Sequence, residues 1–173
     1  MQGLAGRRTR DGDPRVILFL DFDGVLHPET ALSTRVDFQH LPLLWKILRA
    51  VPEVEVVFAT SWRNSHTLDE LVAIVTTGGG EDLARRFIGV NPVVDKASRE
   101  QGDLGHRREE CLQWIDNNRS RFPIWKKEIP WIALDDIALW YGLPCFNLHM
   151  TDYKTGLTEA DVEAVIKKLE AIR

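Results

Sequence analysis

Residues Val16 to Glu29 read VILFLDFDGVLHPE, an apolar run that leads directly into Asp21 and Asp23, with Gly24 next. Two carboxylates this close repel each other, and holding both ionised takes a compensating charge. The natural compensator is a hard divalent cation that takes oxygen ligands. A second acidic pair, Asp135-Asp136, ends another apolar run, Trp131–Leu134. Carboxylates gathered at one spot without His or Cys partners favour Mg²⁺ over zinc. A third apolar run, Val54–Ala59, ends on Thr60-Ser61.

The elements that must position these groups follow from periodicity. Val16–Leu20, Val54–Ala59 and Trp131–Leu134 are continuous apolar runs of the kind buried on both faces of a parallel sheet. Phe87–Val90 reads as a further short strand and Pro144–Leu148 as the last one. Helical spacing predicts helices over Leu41–Ala50, His66–Val75 and Arg107–Asn118, the last with Cys111, Trp114 and Ile115 inward. A Thr158…Asp161 capping box opens a closing amphipathic helix. Asn91 to Gly105 reads as loop. Strands alternating with helices make the fold class α/β with a mainly parallel sheet. In such sheets ligands sit beyond the carboxyl ends of the strands. The polar residues at those ends are therefore the candidate site.

Composition adds bounds. The chain of 173 residues carries a net charge of −4, which supplies no broad attraction to nucleic acid or anionic membrane. The Arg-Arg and Lys-Lys pairs, Arg85-Arg86 among them, read as solvated surface, with Arg107-Arg108 set apart for its place in the motif order. The two cysteines, Cys111 and Cys145, show no metal-binding spacing and read as buried free thiols. No secretory or membrane-spanning pattern is present, so the expected compartment is a reducing cytoplasm and no membrane partner is expected. The expected organisation is a flexible tail over residues 1–15 and one domain over 16–173.

The motifs FLDFDGVLHP, VVFATSWR and WIALDD, in that order, resemble the haloacid dehalogenase (HAD) superfamily of phosphohydrolases. More narrowly, they are similar to the HAD domains found in or related to Swiss army knife RNA repair proteins. The resemblance implies a Rossmann-like HAD fold and Mg²⁺ as cofactor. Asp21 then matches the nucleophile that forms an aspartyl-phosphate. Asp23 matches the general acid/base, with Asp21 ionised and Asp23 protonated at the first step. The resemblance also implies that Asp21, the backbone carbonyl of Asp23, and Asp135 hold the ion, with Asp136 in support. Thr60 matches the hydroxyl that holds a phosphoryl oxygen, Ser61 being the neighbouring choice. Gly24 fits a turn that needs positive φ or close approach.

The third motif departs from the usual pattern, which places a lysine before the strand of the final acids. Arg107, Arg108 and Lys96 are the candidates. Arg107 is preferred, because arginine stays protonated and grips a phosphoryl group bidentately. His27 either lines the cleft beside the leaving group or supports its loop. Arg63 either reaches a substrate phosphate or is an ordinary surface arginine. Trp62 and Tyr141 read as packing residues.

Only 36 residues separate Asp23 from Thr60, and 45 separate Ser61 from Arg107. Neither interval holds a full cap domain beside its own helix and strand. The resemblance then implies a capless phosphatase with an open cleft, suited to a nucleic-acid end or a nucleotide phosphate. The rival readings are a small-molecule phosphatase and a non-catalytic HAD-fold binding module.

Overall fold

A computed structural model describes residues 15–29, 38–94, 104–123 and 127–173. Five strands, β1 (Val16–Leu20), β2 (Val54–Phe58), β3 (Phe87–Val90), β4 (Trp131–Asp135) and β5 (Leu148–Met150), form one parallel sheet in the order β3-β2-β1-β4-β5. Helices α1 (Leu41–Ala50), α2 (Leu68–Thr76), α3 (His106–Asn117) and α4 (Glu159–Ile172) flank it. The architecture is the Rossmann-like α/β arrangement expected from the sequence.

The apolar runs do not alternate with polar residues because both faces of the sheet are covered. Val16, Leu18, Leu20, Val56, Phe58 and Leu134 pack on one face with residues of α1, α2 and α4, such as Leu48, Leu71 and Val165. Ile17, Phe19, Val57 and Ala133 pack on the other with Cys111, Trp114 and Ile115 of α3. β1 is central, paired with β2 on one side and β4 on the other. The ends of these three neighbours therefore lie side by side.

Several expectations need correction. The last strand begins at Leu148, not Pro144. Leu148 N–H closes a turn onto the Cys145 carbonyl, and pairing with Ala133–Asp135 of β4 starts only there. Phe146 in that turn is 89% exposed, and Cys145 is partly exposed rather than buried. The second helix starts at Leu68 because Thr67 caps it, in a reciprocal box with Glu70 that the sequence reading overlooked. Arg86 is not solvated surface: its guanidinium donates to the backbone carbonyls of Leu48, Val51 and Val54. Most of the expected Asn91–Gly105 loop and the expected N-terminal tail up to Pro14 lie outside the described residues. Among the described residues, no helix is long and apolar enough to cross a membrane.

Candidate active site

Asp21 directly follows β1, β2 runs out through Ala59 to Thr60, and β4 ends on Asp135, with Asp136 next. The carboxylates of Asp21, Asp135 and Asp136 each bring an oxygen within 4.8 Å of the others. Asp21 is anchored by accepting from the Phe22 N–H at 2.8 Å. Asp135 accepts from the Ile137 N–H at 2.9 Å and from the Tyr141 hydroxyl at 3.0 Å. Tyr141 is thus more than packing, since its buried hydroxyl orients one of the three acids. Gly24 has φ 67° and lies so close under Asp136 that both reasons for a glycine apply.

Burial makes the three acids of the cluster costly to ionise. Burial, and then repulsion from Asp135, push the Asp21 carboxyl far above its ordinary range, and Arg107 and the Phe22 N–H offset this only in part. Burial likewise raises Asp135, against the pull of Arg107. Burial and Asp21 together raise Asp136 to about 6. Three convergent, hard, anionic oxygens that are costly to ionise alone fit Mg²⁺. No His or Cys belongs to the group, which disfavours zinc.

Asp23 stands apart from the triad. Its carboxylate lies 3.1 Å from His27 Nε2 and receives the Trp62 indole N–H at 3.2 and 3.3 Å. His27 Nδ1 faces the Pro28 carbonyl at 2.9 Å, while its Nε2 meets Asp23 as a close charge contact rather than an aligned hydrogen bond. Burial opposes a charge on the ring, but Asp23 and the Pro28 carbonyl outweigh it and raise the His27 pKa. The His27 contact in turn holds Asp23 below the ordinary carboxylate range. The two aspartates of the DFD motif are thus shifted in opposite directions. Burial, nearly complete at Asp21, raises the first, whereas the His27 and Trp62 contacts lower the partly exposed second.

Arg107 opens the first turn of α3 and is 4% exposed. Burial opposes its charge, but Asp21 and Asp135, followed by Tyr141 and Glu110, more than offset this and raise its pKa. Its guanidinium lies over the Trp140 ring at 4.9 Å. Its Nε and Nη1 atoms are buried without a hydrogen-bond partner, Nε being 3.8 Å from Glu110. Arg108, the next residue, is exposed and faces a separate groove beside Lys127 and Trp131. Lys96 lies outside the described residues.

Arg63 is not a surface arginine. It donates to the Thr60 carbonyl at 2.9 Å and to buried Glu110 at 2.8 Å, tying the end of β2 to α3. Thr60 is buried, and its hydroxyl accepts from the Trp62 N–H at 3.3 Å. Ser61 is exposed at the start of a short 3-10 helix, Ser61–Asn64. Thr151, just past β5, is a further buried polar residue here, and its hydroxyl donates to the Gly24 carbonyl at 2.8 Å. The rule that found the other strand ends would have found Thr151 had β5 been placed correctly. Glu110 had no such signal, because a glutamate within RREEC reads as helix surface.

Residues 17–162 match the family described as "HAD domain in Swiss Army Knife RNA repair proteins". The chain belongs to this family. Its acids occupy the carboxyl edge of a HAD sheet, and the family supports a HAD-type hydrolase in general. No curated protein and no solved structure matches the chain.

Proposed function

We propose that this HAD domain is a Mg²⁺-dependent phosphomonoesterase that works through an aspartyl-phosphate on Asp21. The observation that carries the reading is the pairing of opposites at one spot. Three convergent carboxylates could hold a cation, and beside them a buried arginine keeps two nitrogens without hydrogen-bond partners. A phosphoryl group liganded to a metal would answer both needs.

Asp21, Asp135 and Asp136 would hold the ion through carboxylate oxygens, with the Asp23 carbonyl as a further ligand. When bound, the ion supplies the positive charge that keeps these acids ionised and offsets charge on the phosphoryl oxygens. Asp21 attacks phosphorus as the bond to the leaving oxygen breaks. Asp23, with His27 beside it, gives that oxygen a proton and is left as the carboxylate. Asp23 then takes a proton from the water that attacks the aspartyl-phosphate, releasing inorganic phosphate. Arg107 grips phosphoryl oxygens through its guanidinium, and the Thr60 hydroxyl and nearby amides hold another. Arg63 positions the end of β2 through its bonds to Thr60 and Glu110.

The substrate we propose is a phosphorylated nucleic-acid end or a nucleotide phosphate. Two things support this: the RNA repair context in the family's description, and intervals too short for a full cap. The test is hydrolysis of an aryl phosphate with and without Mg²⁺, alongside Asp21→Asn. Mg²⁺-dependent turnover that is lost in the variant is the expected result. Oligonucleotides phosphorylated at the 5′ or 3′ end should then outcompete mononucleotides. Equal rates would favour a small-molecule phosphatase, and no turnover of any phosphomonoester would favour a binding module.

A further inference from the structure

We propose that Trp62 is a positioning residue for Asp23, its indole N–H holding the carboxylate where it can pass a proton to the leaving oxygen. This inference rests on the reading of Asp23 as general acid. Asp23 needs such a hold. It sits on the turn after β1, its side chain 40% exposed, where a carboxylate is otherwise free to rotate. His27 meets one oxygen at 3.1 Å, and Trp62 Nε1 spans both at 3.2 and 3.3 Å. The orientation of a proton donor matters because transfer depends on reach and alignment.

Trp62 is itself immobilised. Phe22 and Phe38 pack against the indole with centroids 5.7 and 5.3 Å away, and His66 stacks on it at 5.3 Å. Its own backbone N–H donates to Thr60, so the orientation of Asp23 is referred to the end of β2. The choice of donor suits the task. An indole N–H donates only and does not ionise in the working pH range, so it orients the carboxylate without itself entering the proton transfer. Burial does not force the contact either, since Trp62 is only partly buried.

The test separates this role from simple packing through the leaving group. A nitrophenolate departs with little need of a proton, whereas a phenolate needs one. The measured quantity is kcat/KM, which reports the first chemical step, for nitrophenyl phosphate and phenyl phosphate. Trp62→Phe keeps a ring and removes the N–H. Replacement of Trp62 by benzothienylalanine keeps the full shape and removes only the N–H, which guards against a folding defect. Both should lose about 10- to 100-fold on phenyl phosphate and less than about 3-fold on nitrophenyl phosphate. Asp23→Asn should show the same bias more strongly. If Asp23→Asn is biased and the Trp62 variants lose activity uniformly or not at all, the inference fails while the role of Asp23 stands. If Asp23→Asn is itself unbiased, the general-acid reading fails and takes the inference with it.

Discussion

Gly24 lies directly beneath Asp136: a Cβ on Gly24 would fall 2.3 Å from Asp136 Oδ2. The glycine also has φ 67°, which an L side chain adopts only at a cost of about 1–2 kcal/mol. Gly24→Ala should therefore lower stability by at least that amount and push Asp136 out of the acidic cluster. Urea unfolding and a Mg²⁺ titration by calorimetry check the two effects. Unchanged affinity would mean that Asp136 does not help to hold the ion.

Arg107 offsets three buried acids at once, Asp21, Asp135 and Glu110. Arg107→Met should destabilise the fold by about 3–5 kcal/mol, because those charges lose their compensation. Arg107→Lys keeps a charge but loses the planar fork, and should fold while kcat/KM falls about 10²-fold or more. Thermal melts and steady-state kinetics distinguish the two effects. A fully active lysine variant would show that charge alone suffices at this position.

The acidic cluster predicts an unusual pH dependence in the presence of a chelator. Asp21, Asp135 and Asp136 all have folded-state pKa values above their ordinary value of 3.8. The folded protein then binds more protons than the unfolded chain, so stability falls as pH rises from about 4 through the raised values. Asp23 contributes with the opposite sign, since its lowered pKa gives stability that is lost only as pH falls below the ordinary carboxylate range. The chelated protein should melt higher at pH 6 than at pH 8, and Mg²⁺ should flatten that slope. Asp21→Asn should raise the melting temperature of the chelated protein at pH 8, by about 1–3 kcal/mol of stability. A chelated wild type that gains stability toward pH 8 would contradict the burial of these acids.

Thr151 ties the end of β5 to the turn that carries Asp23, through its bond to the Gly24 carbonyl. Thr151→Val keeps the shape but leaves that carbonyl without the donor, at about 1–3 kcal/mol. Thr151→Ser should recover most of the loss. Denaturant midpoints for the three proteins give the answer, and equal midpoints for Thr and Val would remove the bond from the account.

Much of this protein was legible before folding. The runs VILFL, VEVVF and WIAL are apolar without alternation, and only a sheet covered on both faces makes that pattern stable. Their polar endings, Asp21, Thr60 and Asp135, were therefore readable as one edge. What the sequence could not decide was everything that depends on the third dimension. The choice between Arg107 and Arg108 turns on which side of α3 faces the acids, and neighbours in sequence point in different directions on a helix. The link from Arg63 to Glu110 spans 47 positions and has no local signature. The two aspartates of DFD look alike in sequence, but in space Asp21 is buried beside Asp135 while Asp23 is partly exposed and contacts His27 and Trp62. Trp62, apolar in type, became a polar partner of Asp23 because packing against Phe22 and Phe38 left its one N–H aimed at the site.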